Sequence, residues 1–317
     1  MSKKCLCAGI LVSDHLCTPL DHLPASGELV LADKLPLSIG GCAANVAMDL
    51  IRLGVGVTVS GCVGNDPFGS HIIQTLQSRG IQTGYVHQLE EVGTSGTLII
   101  NVQGEDRRFV HALGANAKYT VESLPEEAIE GCGVFYVGGY LLLPSLEPYK
   151  LASRFRAARQ LGVKTVLDVV LPGPGDHLQA LLPVLAETDY FLPNDDEAAI
   201  LTNEQDPMGQ AERFRQAGAK TVVITRGGKG SLLVGEKVCL TAGSHQMECL
   251  GATGAGDAFD AGFIAGLLEG APPEVCLAWG AAAGASCVRE VSATDGVFTR
   301  AELEEFVANN PVKVTAC

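Results

Sequence analysis

Short β-rich runs alternate with helix-patterned segments along most of this chain, and that alternation restricts it to one broad architecture. The strand candidates are Leu6–Val12, Val57–Gly61, Val134–Val137, Lys164–Asp168, Tyr190–Leu192 and Thr221–Thr225. Between the first two, Ala43, Val46, Ala47, Leu50 and Ile51 follow the i, i+3, i+4, i+7 spacing of an amphipathic helix that stops at Gly54. Strands joined through helices predict a mostly parallel sheet covered by helices on both faces. Ligands of such sheets sit beyond the carboxyl ends of the strands.

Two stretches fall outside that alternation. Residues 28–37 place leucines at 29, 31, 35 and 37, a period of two, and residues 94–113 read as a hairpin turning at Gln103-Gly104-Glu105-Asp106. Both are expected as antiparallel strands of a small lid sheet, contributed by about 14–38 and 94–113. No repeat, low-complexity tract or linker separates them from the rest. The expectation is therefore one domain over 1–317 with the lid as an insertion.

Composition narrows the function classes. Hydrophobic residues make up 47% of 317 positions, enough for a sizeable core rather than a disordered chain. A net charge of −14 argues against a nucleic-acid or anionic-membrane partner, since both want a basic face. The apolar run from Val275 to Val288 is too short to span a bilayer and reads as a buried helix. No secretory signal pattern follows the first residues. The eleven cysteines are scattered, without C-x-x-C pairs or zinc spacing, and are expected as buried small hydrophobes of a cytoplasmic protein.

The segment from Gly251 to Phe263 carries the chemistry. Small residues at Gly254, Ala255 and Gly256 precede an apolar helical run, so backbone N–H groups at a helix N-terminus would face a cavity that favours anions. Asp257 falls in the first turn. A carboxylate beside an anion hole is badly placed to bind phosphate and well placed to take a proton from an attacking hydroxyl, the pairing that phosphoryl transfer requires. The same residues would also make a plain glycine-rich turn with an Asp on the helix dipole. Asn194 and Glu197, three apart after Pro193, read by themselves as the capping box of a helix. The dinucleotide G-x-G-x-x-G and P-loop fingerprints do not fit this chain.

Taken together, these pieces resemble the PfkB, or ribokinase-like, carbohydrate kinases. Thr253-Gly-Ala-Gly-Asp-Ala-Phe259 is similar to that family's C-terminal signature, and Gly40-Gly41-Cys-Ala-Ala-Asn45-Val-Ala47 to its N-terminal one. Asn194-Asp-Asp-Glu197 is similar to its N-x-x-E, and Thr225-Arg-Gly227-Gly-Lys-Gly230 to its T-x-G-x-x-G. Gly64-Asn-Asp66-Pro-Phe68-Gly69 adds a further match, and all stand in the family's order across nearly the whole chain. The resemblance implies a three-layer α/β sandwich with a β lid and ATP-dependent phosphorylation of a hydroxyl on a free sugar or sugar-like molecule, with a nucleoside kinase as the alternative. It implies Asp257 as base, with Gly254, Ala255 and Gly256 as the anion hole. It also implies Asp14, Gly40, Gly41 and Asn45 at the acceptor, Asn194, Thr225, Gly227 and Gly230 at the nucleotide, and Glu197 organising Mg²⁺. Asp168 is a weaker candidate at the cleft mouth.

Two departures qualify the resemblance. The family's Asp before the C-terminal signature, which helps hold an activating monovalent cation, is replaced here by Gly251, so K⁺ activation is in doubt. Ribokinases tend to carry an Asn two residues before the substrate Asp, and this chain has Val12, which makes ribose less attractive. No Arg/Lys cluster accompanies the matched acceptor positions, which disfavours a phosphorylated sugar. A catalytically silent binding protein of the same fold and a nicotinamide-dependent oxidoreductase are the competing classes. The apolar lid leucines imply a homodimer through two packed lids.

Overall fold

The computed structural model describes residues 4–105, 108–173 and 175–317 of the chain. Its elements begin β1 (Lys4–Gly9), β2 (Val12–Leu20), β3 (Leu37–Gly40), α1 (Cys42–Arg52), β4 (Gly56–Gly64), α2 (Pro67–Ser78), β5 (Gln82–Leu89), β6 (Gly96–Val102) and β7 (Arg108–Ala112). Then come β8 (Val134–Gly138), α3 (Pro148–Gln160), β9 (Lys164–Leu167), α4 (Leu178–Leu185), β10 (Tyr190–Phe191), α5 (Asp195–Thr202) and α6 (Pro207–Gln216). The chain closes with β11 (Thr221–Thr225), β12 (Ser231–Val234), β13 (Cys239–Ala242), α7 (Ala255–Glu269), α8 (Pro273–Cys287), α9 (Arg300–Asn309) and β14 (Val314–Ala316).

One ten-stranded sheet runs in the order β14-β13-β12-β11-β10-β9-β8-β1-β4-β5. From β5 to β11 every pairing is parallel; from β11 to β14 every pairing is antiparallel. The side-chain period of two on β1 shows how the sheet divides the core. Cys5 and Cys7 face a cluster with residues of α1, α2, α7, α8 and α9. Leu6 and Ala8 face a second cluster with residues of α3, α4, α5 and α6. Burial on both faces is what a parallel sheet needs, and it accounts for the near-continuous apolar runs in its strands.

The expected strand Leu6–Val12 is in fact two strands in two sheets. Gly9 takes φ 141°, and a Cβ there would sit 2.2 Å from Gly138 O, so the chain turns on a residue that must be glycine. Leu11 then leaves both ladders, and the Asn116 side chain replaces them: Leu11 N–H donates to Asn116 Oδ1 (3.1 Å) and Asn116 Nδ2 donates to Leu11 O (3.0 Å). From Val12 the chain belongs to a separate four-stranded sheet, order β3-β2-β6-β7.

That small sheet corrects a second expectation. Residues 28–36 are not a strand; the ladder with β2 begins only at Leu37. Leu16 N–H donates to Pro36 O (3.0 Å) and Thr18 N–H to Lys34 O (3.3 Å), so the segment does run beside β2. Pro36 has no N–H to return, and the ladder cannot extend through it. Leu29, Leu31 and Leu35 consequently stand in solvent at 81%, 86% and 72% exposure. The hairpin of β6 and β7 is present, with Gly104 at φ 75°; Asp106, also named for its turn, lies outside the described residues.

Cysteine usage needs one correction as well. Seven of the nine free cysteines are buried, as small hydrophobes would be, but Cys239 and Cys317 form a disulfide. They are 78 residues apart in sequence, and only the antiparallel pairing of β13 with β14 brings their Cα atoms to 5.3 Å. Among the described residues no helix is long and apolar enough to cross a membrane.

One buried group in this frame opposes stability. Asp49 on α1 is wholly buried, and neither carboxylate oxygen has a partner. Burial pushes its pKa well above the usual range; Asp257 and Asp295 add to the rise and Arg52 opposes it. An unfolded Asp loses its proton near pH 4, whereas folded Asp49 keeps it to higher pH, so the stability cost opens above about pH 4 and grows until the folded pKa. Asp49→Ala is expected to stabilise by about 1–3 kcal/mol at pH 8, with the gain shrinking towards pH 4. Thermal melts at both pH values check this, and a gain independent of pH would refute the titration argument.

Candidate active site

The centre of the site is the start of α7. Gly254 caps the helix at φ 81°, and a Cβ there would lie 2.4 Å from Ala293 O, so both backbone conformation and space demand glycine. Gly256 differs: a Cβ would meet nothing within 4 Å, because its position opens onto a cavity. Gly254 and Gly256 line that cavity, while Ala255 does not and its N–H bonds Ala252 O at 3.3 Å. Asp257 is the third residue of the helix.

The start of α1 meets it from 212 residues away in sequence. Asn45 Nδ2 donates to Asp257 Oδ2 at 2.8 Å, and Asn45 Oδ1 is buried with no protein partner. Gly41 precedes the helix at φ 89°, with a virtual Cβ 2.5 Å from Ile10 O. A Cβ on Gly40 would sit 1.9 Å from Asp14 Oδ2, so Gly40 is bare to admit the Asp14 carboxylate.

Asp14 does not close the first strand of the large sheet as its position in sequence suggested. It is the third residue of β2, paired with Ser38 on one side and Thr97 on the other. Its pKa is pushed up to about 6, chiefly by burial; a Thr97 hydrogen bond opposes the rise and the Asp257 charge adds to it. Asp14 lines a recess with Leu16, Ser38, Ile99 and Asn101 of the small sheet and Thr253, Val291 and Ala293 from the α7 side.

Asp257 itself lines a larger cavity, about 150 Å³. Asn194, Glu197 and Thr225 form its far wall, and a β-bridge between Asn194 and Thr225 holds the two segments together. The capping box is present: Asn194 Oδ1 accepts from Glu197 N–H (2.8 Å) and Glu197 Oε2 from Asn194 N–H (3.1 Å). Capping occupies Oε2 only, so the box leaves Glu197 Oε1 for a ligand. Burial lifts the Glu197 pKa to about 7, against the Asn194 backbone hydrogen bond, with the Asp257 charge adding to the rise. Gly227 and Gly230 stand in the turn beyond Thr225 and do not line this cavity; Gly230 is required there because a Cβ would strike Ala242 O at 2.0 Å.

Three cavity residues stand outside the sequence-derived assignments or at their edge. Asp168 and Asp260 both have pKa values raised well above the usual range, first by burial and then by neighbouring carboxylates. Asp260 follows Asp257 by three positions, the same-face spacing of a helix, and that signal was readable in sequence. Cys42, third in the Gly40–Ala47 motif, was not: its Sγ and a carboxylate oxygen from each of Asp168 and Asp257 lie within 4.8 Å of one another. The carboxylates offer hard oxygen donors of the kind Mg²⁺ prefers, and their mutual repulsion is what a bound cation would relieve.

The chain is similar in sequence and fold to known carbohydrate kinases. The sequence model described as pfkB family carbohydrate kinase matches residues 2–300. Ribokinase of Haemophilus influenzae is 28% identical over 316 residues, covering 97% of this chain and 99% of that protein. The 2-dehydro-3-deoxygluconokinase of Bacillus subtilis is 26% identical, covering 85% and 86%. Among solved structures, ribokinase of Thermotoga maritima superposes with a TM-score of 0.81 at 25% identity over 98% of this chain and 100% of that one. Arabidopsis thaliana ribokinase, complexed with ribose and ATP, gives 0.83 at 22% identity over 97% and 99%.

Proposed function

The chain belongs to the pfkB family of carbohydrate kinases, and from that premise we propose that it transfers the γ-phosphoryl group of ATP to a hydroxyl of a free sugar or sugar-like molecule, with Asp257 as base. The observation that carries this reading is the place of Asp257: in the first turn of α7 at the wall of the larger cavity, beside Gly254 and Gly256, with one carboxylate oxygen held by Asn45. The acceptor lies against the recess, its hydroxyls received by Asp14 in the recess wall and by the nearby Asn45, whose Oδ1 is free of protein partners. Asp257 takes the proton of the attacking hydroxyl as its oxygen bonds to the γ-phosphorus and ADP departs. The backbone N–H groups of Gly254 and Gly256, which line the cavity, stabilise the charge on the phosphoryl in flight.

The phosphate end of the nucleotide occupies the larger cavity, against Asn194 and Thr225, and the remainder extends beyond it over the Gly227–Gly230 turn. Glu197 would hold Mg²⁺, which would supply charge neutralisation on the phosphate oxygens. The relatives support ATP as donor, as does a putative ribokinase II of E. coli whose structure holds ATP and Mg²⁺. No Lys or Arg lines the acceptor recess among the described residues, which favours an uncharged acceptor over a sugar phosphate.

The test is ADP release from MgATP across free sugars, sugar acids, nucleosides and sugar phosphates. Acceptor-dependent turnover with a free sugar is expected, and little change when Na⁺ replaces K⁺, because Gly251 stands where the family carries its cation-holding Asp. Tight ATP binding without turnover on any acceptor would turn the reading to a silent binding protein.

Two copies are further expected to pair through their small sheets. Leu29, Leu31 and Leu35, with Phe109 and Val110 on β7, leave apolar side chains in water that a second copy would cover. Light scattering at micromolar concentration should return twice 33.0 kDa, and Leu31→Asp with Leu35→Asp should halve it. A monomeric mass for the unaltered protein would count against the pairing.

A further inference from the structure

Cys42 opens α1 one turn ahead of Asn45 and is 7% exposed at the cavity wall. The last residue of β8 makes room for it: a Cβ on Gly138 would lie 2.7 Å from Cys42 Cβ and 2.6 Å from Tyr136 Oη. We propose that Cys42 is a positioning residue for phosphoryl transfer, its thiol and the Asn45 amide together holding the Asp257 carboxylate in one orientation. The inference rests on the reading of Asp257 as the base.

Residues 42 and 45 share a helix face, so the first turn of α1 brings the Cys42 thiol and the Asn45 amide to one carboxylate, with Cys42 Sγ within 4.8 Å of an Asp257 oxygen. Asn45 holds Oδ2 at 2.8 Å, and a single hydrogen bond still leaves the carboxylate free to swing about it. The thiol is a weak donor, so it adds a second point of orientation beside the stronger Asn45 bond. Burial and the Asp257 and Asp168 charges push the Cys42 pKa well above its usual value, so the S–H keeps its proton. Burial and the neighbouring carboxylates raise the Asp168 pKa, and one of its oxygens lies within 4.8 Å of the sulfur. The groups facing Asp257 are Asp14 on β2, Asp49 on α1, Tyr136 on β8, Asp168 after β9, Glu197 on α5 and Asp260 on α7. None is a cation, so Asn45 and Cys42 are what favours the ionised base.

Cys42→Ala keeps the Cβ and a good helix former and is expected to fold. At saturating acceptor its kcat should fall about tenfold with the KM for ATP within about twofold, and the acid limb of kcat should move to higher pH. Cys42→Ser, which restores a donor, should recover most of the rate and return the limb. Wild-type kcat and limb in Cys42→Ala would overturn the proposal. So would equal losses in both variants with an unshifted limb, the mark of a packing role. Asp257→Asn run alongside separates the two readings. If that variant turns over normally the base assignment fails. If it is inactive while Cys42→Ala behaves as wild type, only the inference about Cys42 fails.

Discussion

Asp257→Asn should lower kcat by about 10²–10⁴-fold, the usual contribution of a positioned general base, while leaving the fold and MgATP binding intact. The substitution is nearly isosteric, and Asn45 can accommodate it by turning its amide, since its Oδ1 has no other protein partner to lose. Burial raises the Asp257 pKa, with Asn45 and Cys42 opposing, so removing the carboxyl relieves a cost and the melting temperature should not fall. Steady-state kinetics with nucleotide binding by calorimetry distinguishes a lost base from a lost site. Turnover within tenfold of the unaltered protein would remove Asp257 from the role.

Gly256→Ala should separate stability from activity. The position is in the helix at negative φ, and the added methyl meets no protein atom within 4 Å. Replacing a helical glycine by alanine gains about 0.5–1 kcal/mol, so the variant should melt slightly higher. The methyl nevertheless projects towards the cavity where the phosphoryl group must approach the backbone. A displacement of about 1 Å at a reacting centre can cost about 10²-fold, and that loss is expected in kcat. A variant that is both more stable and fully active would mean that the phosphoryl group does not pass over Gly256. The corresponding change at Gly254 would not be informative, because positive φ and Ala293 O make it a folding defect first.

Much of the large sheet was readable because its strands are buried on both faces. Continuous apolar runs such as Thr221–Thr225 survive any detail of context, and that strand appears in the structure with the expected limits. The lid was readable only in outline. The period-two leucines at 29, 31 and 35 suggested a strand, but periodicity reports side-chain direction and not whether backbone donors are available, and Pro36 withholds one where the ladder would continue. Leu6–Val12 failed for a related reason: an apolar run has no mark for the point at which it changes sheets, and the device that permits the change, Asn116, lies over a hundred residues away.

Local sequence determined the parallel architecture, the helix start at Gly254–Asp257, the capping box of Asn194 and Glu197 and the segments that resemble a kinase, because each depends on neighbours within a few positions. Only the tertiary structure decided that Asn45 reaches Asp257, that Gly40 is bare for Asp14, that Cys42 stands between two carboxylates and that Cys239 meets Cys317. Those contacts join residues 26 to 215 positions apart, and nothing in local propensity encodes them. The raised pKa values of the cavity have the same origin, since burial and like charge are properties of the assembled site and no single carboxylate carries them.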